Sequence, residues 1–593
     1  MKLTHEQTTV IQADGSIKIN AVAGSGKTTT IIEYARARPS TSKILYLAFN
    51  KSVRLEAIQR FGQAGLKNVK VETAHSLAYR HIVPKFRYSV APFGYKIHEV
   101  ATILGLRGNG DRHSEYIIAG HVMRLVSLFC NSTENDISNI NYPLSLSEKK
   151  ARTFARNYIK DIQKLALIFL NKMDEGEIHV THDFYLKKFQ LSTPVLNYDY
   201  ILFDEGQDAS PAMLDVFLAQ KAIKLIVGDT HQQIYAWRSA VNSLEQTKFP
   251  TFSLSESFRF GKDIAQLAAH ILEMKTLIGN FQKVKIIGAG KKKQETSCAV
   301  IARTNLGLLL KAIDHVFRNP DLKHIYFEGN IHSYTYAEDG ASLYDILHLY
   351  NRKRFLIRDP LIKSMRSMSD LYEYIDKTED SQLSMMTEIV KQYGNEIPGI
   401  LKKLKALHVE NHEKHLAQIV FSTVHRCKGM EYDTVELVPD FVTEEKLLKF
   451  KKGEDEEKMK EKLNEEINLL YVAVTRATCK IILPEEYVPD SLIGSLDVIA
   501  VKSEKSSEKT LDDIFMEELE QKVPLHDFHK KTYSVEEIRK KHESAYMPWT
   551  DDLDKELEEL LLEGSNIRLI ASRFGRTDGS VRSRIKKLQE KSM

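Results

Sequence analysis

Only four cysteines occur in 593 residues, Cys130, Cys298, Cys427 and Cys479, each far from the next. They form no CxxC pair, no zinc spacing and no iron–sulfur ligand run, which argues for a reducing compartment. An apolar signal core is missing from the opening Met-Lys-Leu-Thr-His-Glu-Gln. No uncharged run approaches the roughly 18 residues of a membrane helix. Excess charge is scarce as well: 84 Lys and Arg against 80 Asp and Glu leave only +4. Any polyanionic partner must therefore be met by local grooves and not by bulk charge. What remains, 42% hydrophobic and 28% charged residues, is the composition of an intracellular, soluble chain with material for about four domains.

Residues 17–22 are a short apolar-rich strand candidate that runs into Ala23-Gly24-Ser25-Gly26-Lys27-Thr28-Thr29, and residues 30–36 read as helix. Strand, glycine-bearing loop, Gly-Lys-Thr and helix form the context of a phosphate-binding loop. The glycines let backbone N–H groups approach phosphates, and the helix N-terminus adds partial positive charge. Lys27 would reach the β- and γ-phosphates of ATP and Thr28 would hold Mg²⁺. Ala21 stands where the consensus has its first glycine. A second apolar strand, residues 200–203, ends in Asp204-Glu205. Asp204 is expected to bind Mg²⁺, and Glu205 to orient and deprotonate the attacking water.

Residues 227–238 read Val-Gly-Asp-Thr-His-Gln-Gln-Ile-Tyr-Ala-Trp-Arg. A carboxylate and an amide suited to sensing Mg²⁺ and a γ-phosphate stand a few residues from Tyr235 and Trp237. Those aromatics, with Arg238 after them, suit the stacking of bases in a single strand. One short element touching both ATP and bases is how a motor would join fuel to track.

With Asp204-Glu205-Gly206-Gln207-Asp208 ahead of that run, the chain resembles the UvrD/Rep/PcrA group of superfamily 1A DNA helicases. Leu3-Thr4-His5-Glu6-Gln7 looks like the Q motif, Thr73-Ala74-His75-Ser76 like a strand-contacting motif, and Leu254-Ser255-Glu256-Ser257-Phe258-Arg259 like the block supplying an arginine to the γ-phosphate. Val300-Ile301-Ala302-Arg303-Thr304-Asn305 is similar to the opening of the second motor domain. Residues 423–432, Thr-Val-His-Arg-Cys-Lys-Gly-Met-Glu-Tyr, look like motif V, and residues 468–477, Asn-Leu-Leu-Tyr-Val-Ala-Val-Thr-Arg-Ala, like motif VI. The wording of motif VI and Ala48-Phe49-Asn50-Lys51 is nearest the F-box DNA helicase branch; no F-box precedes residue 3, so a ubiquitin-ligase role is not expected.

The resemblance implies an ATP site in which Gln7 reads adenine, Phe258 offers an aromatic face, and Gly429 and Glu431 approach the ribose. Gln232 would sense the γ-phosphate, and Arg259 and Arg476 would stabilise its developing charge. It also implies a DNA track through Asn50, Thr73, His75, Tyr235, Trp237, Arg238, Arg303, Asn305, Thr423 and His425. Two departures stand out. The family's Arg after the loop threonine is Thr29, and the Tyr facing it is Phe258. In Ala48-Phe49-Asn50-Lys51 the aromatic is shifted by one, so Phe49 reads either as core or as a base platform.

The expected fold class is α/β, with two RecA-like motor domains, mainly helical insertions and a small C-terminal three-helix module. The first motor domain would comprise residues 1–78 and 191–256 around an accessory insertion at 79–190. The second would comprise 257–350 and 416–486 around a small insertion at 351–415. The charged run 444–466 reads as a solvated helix or a flexible insertion, and Lys291-Lys292-Lys293 more readily as a surface turn than as an import signal or a DNA patch. Residues 487–545 read as linker. Residues 546–593 read as three short helices with Arg582 and Arg584 on a basic last one, which suits DNA contact through phosphates or protein docking.

An ATP-dependent helicase moving 3′ to 5′ on single-stranded DNA and at single-strand/duplex junctions is the leading expectation. A translocase that strips bound protein and a DNA-binding scaffold with an ATPase switch are the alternatives. A monomer or weak oligomer is expected, without a membrane partner, cytoplasmic and nucleoid-associated in a bacterium or phage and nuclear in a eukaryote.

Overall fold

The computed structural model describes residues 3–108, 113–235, 242–279, 283–290, 296–329, 331, 340–448 and 456–502, together with Leu553, Asp554, Leu557, Phe574, Arg576 and Arg584. Residues 1–505 form one compact unit and 506–593 a second.

The first unit is organised around two six-stranded sheets, each parallel throughout. The first contains β1 (Ile17–Ala21), β2 (Ile44–Ala48), β3 (Val69–Thr73), β4 (Tyr200–Phe203), β5 (Ile223–Gly228) and β6 (Thr251–Leu254), in the order β3-β2-β4-β5-β1-β6. All five residues of β2, Ile-Leu-Tyr-Leu-Ala, are buried, as expected of a strand covered on both faces. Ile17, Ile19, Leu202, Leu225 and Val227 pack with Ile31 and Tyr34 of the helix Lys27–Arg36 to make the core of this layer.

A two-stranded parallel pair, β7 (Glu256–Ser257) and β8 (Ile287–Gly288), follows. The second large sheet holds β9 (Cys298–Ala302), β10 (Ile325–Phe327), β11 (Ile419–Thr423), β12 (Tyr432–Leu437), β13 (Ala477–Pro484) and β14 (Val498–Val501), in the order β10-β11-β9-β12-β13-β14. Its core includes Ala299, Ile301, Val435 and Ile481, with Ile264, Leu267 and Ile271 from the helix Lys262–Glu273.

Helices fill the two interruptions. The first insertion opens with Ala74–Phe86, which packs on His182–Leu191 at its far end. The second begins earlier than residue 351, because Leu343–Tyr350 packs on Ser381–Tyr393. The second domain also ends later than residue 486. Leu483 pairs with Ala500, so the start of the expected linker lies inside the sheet. The charged run is helical at Glu444–Leu448 and Glu456–Val474, and the second helix continues into the block containing Tyr471. In the C-terminal unit, Arg584, expected at phosphates, grips Asp554 with two guanidinium nitrogens. Arg582 and Lys291-Lys292-Lys293 lie outside the described residues.

Asp433 at the start of β12 ties three segments of the second sheet together. It accepts hydrogen bonds from the backbone and hydroxyl of Thr296 (3.0 and 2.9 Å), from both donors of Ser297 (3.1 and 3.0 Å) and from Thr478 Oγ1 (3.1 Å). Burial opposes ionisation, but these donors outweigh it and bring the carboxyl down to about 2. The stabilisation is complete above the unfolded carboxyl value of about 4 and is lost as the pH falls towards 2. Asp433→Asn should lower stability by about 1–2 kcal/mol at neutral pH, discounted for solvent screening. The difference from wild type should shrink below pH 4. Denaturant titration at pH 7 and pH 3 measures both.

Candidate active site

β5 lies between β1 and β4, so the carboxyl ends of three adjacent parallel strands open on one crevice, the usual ligand position in such sheets. From β1 comes the glycine loop. Gly24 (φ 73°) and Gly26 (φ 76°) are both left-handed, a conformation that favours glycine. A Cβ at Gly24 would also stand 2.5 Å from Arg259 Cβ and 2.7 Å from Ser257 Oγ. Lys27 and Thr28 open the helix behind the loop, with Gly26 as its N-cap. Ser25 Oγ is buried without a hydrogen-bond partner. Left-handed glycines, a helix N-terminus and an orphaned hydroxyl together fit a phosphate chain.

Gln7 is fixed by a capping box with Thr4, and its Nε2 donates to Thr30 Oγ1 at 3.2 Å. A Cβ on Gly26 would come within 3.0 Å of Gln7 Nε2 and 3.8 Å of the Phe258 ring. Gln7, Phe258 and this glycine thus border one recess beside the loop. Thr29 is half-buried in the first turn of the helix.

β4 delivers the two acids. Asp204 is buried and accepts from Tyr46 Oη and from Glu205 N. Glu205 has φ 52°, a left-handed conformation strained for a residue with a side chain. Its carboxylate lies 3.5 Å from Lys27 Nζ and accepts from Gln207 Nε2 at 2.5 Å. Burial, then the neighbouring Glu205 charge, raises Asp204. Burial also resists ionisation of Glu205, yet Lys27 and Lys428 hold it below the usual carboxylate range. One acid is thus kept charged. The other is a buried carboxylate whose oxygens, with Thr28, would suit Mg²⁺. The ion would neutralise phosphate charge when bound.

The loop after β5 carries the third group. Gln232 Nε2 donates to Asp229 Oδ2 at 2.8 Å, and Tyr471 Oη donates to the same oxygen at 3.0 Å. Ala23 N donates to Tyr471 Oη at 3.3 Å. Tyr471 therefore links the glycine loop, the Gln232 loop and the second sheet's core. Lys428 pairs with Asp208 and donates to Gln232 O at 2.7 Å. Sequence reading did not single out Tyr46, Asp208, Lys428 or Tyr471 for the site. Lys428 and Asp208 are 220 residues apart, and no local pattern pairs them.

The two arginines differ. Arg259 Nε lies 2.9 Å from Glu431 Oε1, and its Nη1 donates to Thr475 O at 2.8 Å. Its stem stands beside Gly24, so this side chain reaches from the glycine loop to the second domain. Glu431, expected at the ribose, is thus an anchor for Arg259. Arg476 is fully buried and donates to Val472 O (2.9 Å), Met430 O (3.3 Å) and Thr475 Oγ1 (3.2 Å). Burial, then Arg259, lowers it to about 10. Its hydrogen bonds are to its own domain, next to the Gly429 turn (φ 87°), while its charge still helps to hold Glu205 ionised.

The expected strand contacts are dispersed. Phe49 stacks on Tyr235 (5.6 Å between centroids, 25° between planes), and Tyr235 Oη donates to His425 O at 2.9 Å. His425 Nε2 lies 3.1 Å from Ile234 O, and burial lowers this imidazole to about 4. Tyr235 and His425 are therefore seam residues between the domains. Trp237 and Arg238 lie outside the described residues. Asn50 Oδ1 and Thr73 Oγ1 cap helices by accepting from Val53 N and Ser76 N. His75 is half-exposed in a ring cluster with Tyr79, His182 and Tyr185. Arg303 makes a two-pronged pair with Glu466 (2.8 and 2.7 Å), and Thr423 is buried. Asn305 is half-buried at the first turn of the helix Asn305–Arg318.

The UvrD/REP helicase N-terminal domain matches residues 3–250 and the UvrD-like helicase C-terminal domain matches residues 330–484. The chain is 31% identical over 514 residues to F-box DNA helicase 1 of Gallus gallus, spanning 80% of this chain and 48% of that one. It is 28% identical over 538 residues to F-box DNA helicase protein 1 of Schizosaccharomyces pombe, spanning 81% and 57%. Over 297 residues it is 26% identical to ATP-dependent DNA helicase PcrA of Bacillus subtilis, spanning 45% and 39%. The chain thus spans about half the length of the two F-box relatives.

Proposed function

Because this chain belongs to the UvrD-like helicase family, we propose that it is an ATP-dependent DNA helicase. It tracks 3′ to 5′ on single-stranded DNA and separates duplex at junctions during repair, replication or recombination. One observation carries the proposal. The loop after β5 holds Gln232 on Asp229 beside the glycine loop, and three residues later puts Tyr235 between Phe49 and His425. A single short element therefore runs from the hydrolytic crevice to the face where the two domains meet.

In this proposal Lys27 and the loop amides bind the phosphates, Gln7 and Phe258 border the base, and Glu205 takes the proton of the attacking water. Gln232 follows the γ-phosphate, and Arg259 stabilises the charge that develops on it. Lys428, Tyr471 and Arg259 all join the two domains at this crevice. Closure against the nucleotide would thus move the seam around Tyr235, and with it the bound strand. Half-exposed His75 and the rings around it extend the track onto the first insertion. No helix among the described residues is long and apolar enough to cross a membrane.

The test is ATP-driven strand displacement on matched duplexes with a 3′ or a 5′ single-stranded tail, with hydrolysis followed in parallel. Displacement from the 3′ tail is expected. Displacement from the 5′ tail alone would overturn the polarity. DNA-stimulated hydrolysis without displacement on either would favour a translocase that clears bound protein.

A further inference from the structure

The molecule buries one lysine at the domain seam that the proposed chemistry does not use. Lys275, on the turn Met274–Leu277, is 7% exposed. Its ammonium donates to Asn468 Oδ1 at 2.6 Å and lies 3.0 Å from His231 Nδ1. Asn468 in turn donates through Nδ2 to Gln233 O at 2.9 Å. His231 and Gln233 flank Gln232. Lys275 and Asn468 come from the second domain, whose core takes in Met274, Ile278 and Leu469. Ile234, the next residue of the loop, is also buried in that core.

Burial holds His231 well below its usual value, with Lys275 adding to the effect, so the imidazole is neutral and its Nδ1 accepts. Burial also lowers Lys275, to about 8, while Asp229 and Glu245 oppose the change. Taking a cation out of water is costly unless it is well paired, and an apolar side chain would fill the same space at less cost. The arrangement specifies position. Lys27 of the glycine loop favours the charged form of Asp229, and Asp229 in turn favours the charged form of Lys275. One carboxylate, gripped by Gln232 and Tyr471, thus interacts electrostatically with a lysine of each domain.

We propose that Lys275 is a positioning residue: with Asn468 it clamps His231 and Gln233 to the second domain and so sets where Gln232 and Asp229 stand during turnover. The clamp rests on the motor reading above and names the element through which domain closure reaches the γ-phosphate sensor. Lys428 on Gln232 O and Tyr471 on Asp229 hold the loop from the phosphate side; Lys275 and Asn468 add the grip on the residues either side of Gln232.

Lys275→Met keeps the aliphatic stem and removes every donor. Hydrolysis at saturating single-stranded DNA should fall about tenfold in kcat, equivalent to about 1.4 kcal/mol, with the KM for ATP within about twofold. Amide exchange at residues 229–233 should quicken. Combining it with His231→Ala should add little, because both cut one contact, and Lys275→Arg should recover part of kcat. Asn468→Ala removes the opposite grip and should act in the same direction should the lysine variant fail to fold. Unchanged kcat, kcat and KM shifting together with a lowered melting midpoint, or unchanged exchange at 229–233 would overturn the proposal. The exchange measurement does not depend on turnover. A wild-type chain without DNA-stimulated hydrolysis would sink the motor reading and leave the clamp to be judged by exchange alone.

Discussion

Glu205→Gln should abolish steady-state hydrolysis, lowering kcat by about 10³, within the range of a lost general base, while ATP and single-stranded DNA still bind. The substitution is nearly isosteric. Its amide oxygen still accepts from Gln207 Nε2, so the strained left-handed backbone at this residue keeps its support. What disappears is the charge that Lys27 and Lys428 hold ionised. Binding should survive because the phosphates are held by the glycine loop and the helix N-terminus, which the change does not touch. Single-turnover hydrolysis with a fluorescent nucleotide reads binding and chemistry separately. Turnover within tenfold of wild type would move the base elsewhere, and Asp208, also buried and pushed up to about 6, would be the next carboxylate to remove.

Arg259→Ala should be almost as severe, with kcat down by about 10³ and nucleotide affinity changed by less than about tenfold. The side chain rises beside Gly24 and ends on Glu431 and Thr475 O, so it is the arginine that spans the crevice. The fold should tolerate the loss. Glu431 is half-exposed, and exposed ion pairs are worth only about 0–1 kcal/mol. A Glu431→Ala variant separates the two roles of Arg259: it removes the carboxylate partner, leaves the guanidinium on Thr475 O, and should retain most of the turnover. Equal losses in both variants, with matching drops in melting midpoint, would make the pair structural. Arg476 is a different case. Its complete burial among Val472, Met430 and Thr475 predicts that replacing it damages folding before it damages chemistry.

The ATP side of the crevice was legible because its signals are local. A strand, two left-handed glycines, Gly-Lys-Thr and a helix are contiguous at 17–36, and the acids directly follow the short apolar strand β4. The α/β class and the two helical interruptions were legible for the same reason. Boundaries were harder. β14 shows the pattern of a half-exposed edge, buried at Val498 and open at Ile499 and Val501, and only its pairing with β13 brings it into the sheet. Leu343–Tyr350 carries a good capping box and an apolar face, but which layer it joins depends on the Ser381–Tyr393 helix it packs against.

Strand contacts were the least legible part. Asn50 and Thr73 are residues whose type suits both a phosphate contact and a helix cap, and in the fold their side-chain oxygens cap. Arg303 suits a backbone phosphate until Glu466, 163 residues later, is set against it. The sequence by itself determined which groups are available: a glycine loop with Lys27, a carboxylate pair, Gln232 and the arginines, each carried by a short segment. Only the tertiary structure decided which charges are engaged and which residues join the domains. Lys428 on Asp208, Tyr471 on Asp229 and Lys275 between His231 and Asn468 are contacts between segments 44 to 242 residues apart. The reason is physical: backbone preferences act over a few residues, whereas Coulomb and hydrogen-bond partners are chosen by where the chain packs.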